Sequence, residues 1–196
     1  QLRYIANDFQ KGSGITKEDI INDGDINCVR YADLYTDYSY NFKDCKIKTN
    51  LALHTSPKYF SYGDLLFTCT GELVEEIGKS ASYLGHEKCL AGGDIIICRH
   101  SQNPTFMGYA LGSLYCQMQK SYGKRKLKVV HISLSEIKNI FVTLPSLEEQ
   151  NQIGEFLNQK CLHIDELIEL KNNKIDQLHN YKKSLIYEYV TGKKEV

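Results

Sequence analysis

No apolar run in the 196 residues approaches the roughly 18 needed to cross a bilayer, so a membrane-spanning helix is excluded and a soluble protein is expected. Nothing near the N-terminus has the charged-then-apolar form of a secretion signal. Gln1 is not an initiator Met, and the chain reads as a piece excised from a longer one. The seven cysteines, Cys28, Cys45, Cys69, Cys89, Cys98, Cys116 and Cys161, are scattered, odd in number and never in a C-x-x-C pair. That excludes a disulfide framework and a zinc ribbon and implies reduced thiols in the cytoplasm, serving as small core residues. Neither G-x-x-x-x-G-K-[ST] nor G-x-G-x-x-G occurs, so there is no nucleotide cradle. No two of the six histidines have the i, i+4 spacing of a helical metal site, and no metal or cofactor is expected in this chain.

Acidic residues match basic ones, 24 against 24, but none lies between Asp94 and Glu136. Arg99, Lys120, Lys124, Arg125, Lys126 and Lys128 all fall in that interval. The local excess of positive charge suits nucleic acid despite a net charge of zero.

The chain divides at Pro145. Residues 1–144 have a short, mixed pattern that predicts an α+β globular domain with mixed or antiparallel strands. Asp64–Cys69 and Asp94–Arg99 are apolar, β-forming runs preceded by Gly-Asp, and read as buried strands entered from tight turns. Shorter strands are expected at Cys28–Tyr31 and Lys128–Ile132. Asn103-Pro104 opens a helical spacing that runs through Phe106 to Met118. Lys11-Gly12-Ser13-Gly14-Ile15-Thr16-Lys17 is read as a flexible loop leading to a short helix begun by Thr16.

Residues 145–196 read as one long coiled-coil helix. Ser146 and Glu149 form an S-x-x-E capping box, and Gly192 suits a C-cap. Leu157, Cys161, Ile164, Ile168, Ile175, Leu178, Leu185 and Tyr189 follow an alternating three-and-four spacing, interrupted by Lys171 and Lys182. At ~1.5 Å per residue the helix is about 65 Å long. That exceeds the expected diameter of the preceding domain, so the distal seam requires another helix. Ile153 and Phe156 are expected to dock its first turns.

Catalysis has little support. Glu72, Glu75 and Glu76, and Asp44-Cys45-Lys46, lack a convincing second acid in strand context. DNA contact has more. Lys120, Tyr122, Lys124, Arg125 and Lys126 mix cations with an aromatic, which suits phosphate contact from a loop. Arg99-His100-Ser101-Gln102-Asn103 carries side chains able to pair with base edges. Lys11, Ser13 and Lys17, with Arg30, Tyr31 and Thr70, complete the candidate contacts.

These elements, in this order, resemble a target-recognition domain and the conserved helix that follows it in a type I restriction-modification specificity subunit. The resemblance rests on the 12–17 loop, Cys28–Thr36, Gly63–Thr68 with Thr70-Gly71-Glu72, and Ala91-Gly92-Gly93-Asp94-Ile95. It continues through Val130–Ile132, Leu144-Pro145-Ser146-Leu147-Glu148-Glu149-Gln150, Ile164–Ile168 and Leu185–Gly192. It implies a non-catalytic subunit that binds double-stranded DNA and chooses the sequence. In the family two such units read a split target, with their helices packed antiparallel as a spacer. Modification subunits using S-adenosylmethionine methylate adenine, and restriction subunits using ATP and Mg cleave. One unit alone implies a half-length protein that dimerises, or half of a tandem subunit. The competing reading is a protein-interaction adaptor assembling through the same helix; a nuclease or methyltransferase fragment ranks below both.

Overall fold

The computed structural model describes residues 1–125 and 128–195. It forms two compact units, Gln1–Gly154 and Glu155–Val196. In chain order the strands are β1 (Ala6–Lys11), β2 (Ile26–Val29), β3 (Asn41–Phe42), β4 (Ile47–Thr49), β5 (Tyr59–Phe60), β6 (Leu65–Thr68), β7 (Thr70–Gly71), β8 (Ser80–Tyr83), β9 (Cys89–Ala91), β10 (Ile95–His100) and β11 (Val130–His131). The helices are α1 (Tyr31–Thr36), α2 (Pro104–Gly112), α3 (Leu114–Ser121), α4 (Leu134–Asn139) and α5 (Leu147–Val190). This is the α+β architecture with a long C-terminal helix that the sequence predicts.

The two apolar runs form the centre of the first unit. β6 and β10 pair antiparallel, Leu65 opposite Cys98 and Thr68 opposite Ile95, inside a sheet ordered β1-β10-β6-β8-β3. Successive strand residues face opposite sides. Leu65, Phe67, Ile96 and Cys98 therefore join one core with Phe106, Met107, Leu111 and Cys116, while Leu66, Ile95 and Ile97 join another with Val29, Leu34, Phe60 and Tyr83. Burial on both faces explains the continuous apolar runs. The second sheet, β4-β2-β9-β5, contains the parallel pair β2–β9. Gly63 takes a φ of +88° in the turn before β6, as a tight turn requires, whereas Gly93 has a negative φ.

Four expectations are corrected. The single helix from Phe106 to Met118 is two helices, because Ser113 is extended at ψ 154°. Its hydroxyl donates to Ala110 O and accepts from Cys116 N–H, ending α2 and starting α3 together. Asn103 does cap α2, accepting from Phe106 N–H at 2.7 Å. No helix begins at Thr16: Asp19 accepts from its N–H, but Ile21 N–H turns away to Lys48 O at 3.0 Å, and the chain forms only a turn. The strand predicted at Cys28–Tyr31 ends at Val29, since Asp33 accepts from Arg30 N–H at 2.8 Å and starts α1. The preceding 12–14 segment is not a free loop. Gly12 N–H donates to Ile95 O and Ser13 N–H to Ala91 O, and a Cβ on Gly12 would lie 2.0 Å from Gly92 O.

α5 starts where the predicted capping box places it, but among the described hydrogen bonds only the serine half forms, with Ser146 Oγ accepting from Glu149 N–H at 3.2 Å. Ile153 packs on the core, Gln150 is buried, and Phe156 is exposed. At the far end Gly192, at φ +71°, donates to Tyr189 O while Lys193 N–H reaches back to Glu188 O. That pair of bonds is a Schellman ending, which needs a left-handed residue at the glycine.

Candidate nucleic-acid interface

The parallel pairing of β2 with β9 carries the start of α1 to the Gly92-Gly93 turn, and the end of β1 crosses the same turn. Three stretches distant in sequence thereby line one open cleft of about 470 Å³, among them Lys11, Thr16, Arg30, Tyr31 and Asp94. Four glycines line it, Gly12, Gly14, Gly92 and Gly93, of which Gly14 is exposed and Gly92 buried. Lys11, Lys17 and Tyr31 are exposed. Arg30 makes a two-point contact with Asp33, Nη2 to Oδ1 at 2.8 Å and Nε to Oδ2 at 3.2 Å, which fixes the guanidinium and raises its pKa further. Ser13 Oγ is buried beside the cleft without a hydrogen-bond partner. A concave surface with two cations and an aromatic ring is suited to a phosphate-bearing strand; Asp94 opposes that charge on one wall.

The other predicted contacts are distributed differently. Arg99 is consumed internally: Nη1 donates to Asp8 Oδ2 at 2.7 Å, and Nη2 to Tyr59 O at 3.0 Å and Gln10 Oε1 at 3.2 Å. His100 accepts from Gln102 N–H at Nδ1, and burial pushes its pKa down to about 4, so it is neutral at pH 7. Gln102 and Asn103 hold the first turn of α5. Gln150 Nε2 donates to Gln102 Oε1 at 2.8 Å, and Asn103 N–H donates to Gln150 Oε1 at 3.1 Å. Asn103 Nδ2 also reaches Asn151 Oδ1 at 2.6 Å. Of this loop only Ser101 is exposed, its hydroxyl accepting from Asn7. The loop predicted to read bases is an internal clamp.

The basic interval is corrected in the same way. Lys120 is 1% exposed, its ammonium donating to Leu111 O at 2.7 Å and Ser80 Oγ at 3.1 Å. It cannot touch DNA in this conformation, and burial pushes its pKa down to about 8. Lys124 pairs with Glu136. Desolvation pushes the Glu136 carboxyl up, but Lys124 and the Ser133 N–H and hydroxyl outweigh it and hold it at about 2. Arg125 and Tyr122 are exposed, Tyr122 at 88%, and Lys126 lies outside the described residues. Thr70 is half-buried with its hydroxyl 3.1 Å from His131 Nδ1. The interval's acid-free appearance was misleading because Asp8, Asp64 and Glu136 come to it from elsewhere in the chain.

Sequence reading missed a second polar and aromatic surface. Lys88 Nζ sits 4.1 Å from the Tyr59 ring centroid, and the Tyr62 and His86 rings stack at 5.7 Å. The interleaving of Lys58, Tyr59 and Tyr62 was its only local signal. Among the described residues there is no group of three or more metal-ligating side chains and no helix long and apolar enough to cross a membrane.

These features describe a head with an open, glycine-lined cleft that carries Lys11 and Arg30, and a long helix carrying an apolar seam. The family described as the type I restriction modification DNA specificity domain matches residues 5–180, and the chain belongs to that family. A Methanocaldococcus jannaschii protein described as the type I restriction enzyme MjaX specificity subunit is 32% identical over 134 residues, 66% of this chain and 30% of that protein. The EcoBI specificity subunit of Escherichia coli is 22% identical over 187 residues, 95% of this chain and 36% of that protein. The chain thus spans about a third of the length of these relatives. Among solved structures, one described as the basis of complex assembly and conformational transition of the type I R-M system aligns with a TM-score of 0.67 at 16% identity, covering 96% of this chain and 44% of that one. The HsdS subunit from Thermoanaerobacter tengcongensis aligns with a TM-score of 0.55 at 17% identity, covering 84% and 37%. The chain is a specificity-subunit domain of the type I restriction-modification class, and the structural likenesses place its fold there too.

Proposed function

We propose that the chain is the DNA-reading unit of a type I specificity subunit, non-catalytic itself, that selects one half of a split target for adenine methylation or restriction by partner subunits. The observation that carries this reading is the family match, which runs through the head and on into the helix as one module. The cleft of Lys11, Arg30 and Tyr31 supplies phosphate-directed chemistry, and the exposed Lys17 stands close to it in sequence. The exposed seam of α5 supplies a surface for a second unit, either another copy or a tandem half, and for modification subunits. S-adenosylmethionine, ATP and Mg belong to those partners in this reading.

Duplex binding by the full chain tests it. Each phosphate neutralised contributes a slope of about −0.9 in log K against log salt, so affinity should fall steeply as ionic strength rises. Binding that is absent at low salt would contradict a DNA-reading head. The adaptor reading draws on one observation: Leu114, Tyr115, Met118, Tyr122 and Phe141 are all exposed, with Gln119 bonded to both the N–H and the carbonyl of Phe141. Such a cluster is a protein-contact chemistry, and salt-insensitive partner binding without duplex affinity would favour it.

A further inference from the structure

Two thiols far apart in sequence meet in the head. Cys89 is fully buried in β9, its Sγ 3.4 Å from Tyr83 Oη and 3.6 Å from Glu87 O. Cys45, from the loop between β3 and β4, packs against the same core and makes a side-chain hydrogen bond with Cys89. We propose that Cys45 and Cys89 form a reversible oxidation site, closed to a disulfide by a hydroperoxide such as hydrogen peroxide.

The topology selects this pair from the other cysteines. Successive residues of a strand face opposite sides. Leu90, opposite Cys28 in the parallel β2–β9 pair, shares a core with Cys28 and Ile15, whereas Cys89 faces the other core with Tyr83, Phe60 and Tyr38. Cys28 therefore points away from Cys89 although their strands are neighbours. Lys46, one residue before β4, donates its N–H to Tyr38 Oη at 2.9 Å, which holds the preceding Cys45 over the Cys89 core. Cys98 and Cys116 belong to a different core, against which Cys69 packs.

The site is reached from the Cys45 side. Cys45 is half-buried, and Lys43, Asp44 and Lys46 around it are exposed. Cys89 is the attacking sulfur. The Cys45 contact, helped by the Tyr83 hydroxyl, holds its thiol below the ordinary value against burial and the Glu87 carboxylate, while the same contact and burial push Cys45 up. The Cys89 thiolate takes one oxygen of the peroxide, the O–O bond breaks, and hydroxide leaves, protonated by solvent to water. The Cys45 sulfur then attacks the Cys89 sulfenic acid at sulfur. The S–O bond breaks, and the Cys45 proton leaves with that oxygen as a second water. Two thiols and one peroxide become one disulfide and two waters. A disulfide formed this way is opened again by thiol exchange, as suits a transient link in a reducing compartment.

The test uses the full chain, reduced, freed of reductant, treated with equimolar hydrogen peroxide and then alkylated with N-ethylmaleimide in urea. Non-reducing peptide mass spectrometry should find a Cys45–Cys89 link within one chain, with two of the seven free thiols lost and both restored by dithiothreitol. Cys45→Ser, a change at a half-buried position, should lose the link and leave Cys89 carrying one added oxygen. Cys89→Ser should lose the link and leave Cys45 alkylated. Circular dichroism checks that each variant is folded, and the wild-type mapping stands without them. Cys45 and Cys89 both alkylated while Cys69 or Cys161 is oxidised would overturn the site. A Cys45–Cys28 link would overturn the choice of pair, and oxygen added to Cys45 in Cys89→Ser would overturn the choice of attacking sulfur.

Discussion

Lys120 offers a sharp test of the reassignment from DNA contact to core. Its ammonium is buried against Leu111 O and Ser80 Oγ, with no carboxylate among its hydrogen-bond partners and its pKa pushed from 10.5 to about 8. A shift of about 2.5 units corresponds to roughly 3 kcal/mol, at 1.36 kcal/mol per unit. Below pH 8 the lysine is protonated in both the folded and unfolded chains, so the full cost of burying the charge is present. Between pH 8 and 10.5 the unfolded chain holds the proton that the folded chain has released, and folding stability rises with pH through that window. Lys120→Met keeps an apolar stem, removes that charge and loses two hydrogen bonds to a charged donor, worth about 1.5–3 kcal/mol each. At pH 7 the lost hydrogen bonds, about 3–6 kcal/mol together, equal or exceed the relieved burial cost of roughly 3 kcal/mol. At pH 10.5 the wild type should be favoured by about 3 kcal/mol more than at pH 7. Urea unfolding of both proteins at each pH reads this difference, and the subtraction cancels the tyrosines and cysteines that titrate in the same range. A wild-type-minus-variant difference that stays flat from pH 7 to 10.5, with Lys120→Met weakening duplex binding, would place the side chain at the surface and refute the argument.

Gly12→Ala should destabilise the head by more than about 2 kcal/mol in urea unfolding, because its Cβ would lie 2.0 Å from Gly92 O and backbone on both sides must move. Lys11→Ala with Lys17→Ala should leave the unfolding midpoint unchanged while reducing the salt slope of duplex binding by about 2, roughly 0.9 for each phosphate no longer neutralised; an unaltered slope would remove the cleft from the interface. Ile168→Asp with Leu178→Asp, both exposed, should leave the helix content seen by circular dichroism intact and abolish self-association in light scattering.

Patterns that depend on neighbours in sequence were legible. The two buried strands, the capped start at Ser146, the Gly192 ending and the Asn103 cap all follow from local periodicity and capping chemistry. What could not be read was where charges meet after folding. Arg99 looked free because Asp8 and Asp64 are far away in sequence, and Lys124 looked free because Glu136 lies just past the acid-free interval. Lys120 sits on the inner side of α3 beside Cys116, but its immediate neighbours Gln119 and Ser121 are polar and gave no sign of burial. Arg30 and Tyr31 were placed with Lys11 only by the parallel β2–β9 pairing, a long-range contact without a local signal.

The central claim, that this chain chooses a DNA sequence for partner subunits to act on, is tested most directly by co-expressing it with its modification subunits and mapping methylated adenines across the host genome. The account predicts a new methylated motif, which disappears when Ile168→Asp and Leu178→Asp break the helix seam. A soluble, assembled complex that leaves every adenine unchanged would contradict it.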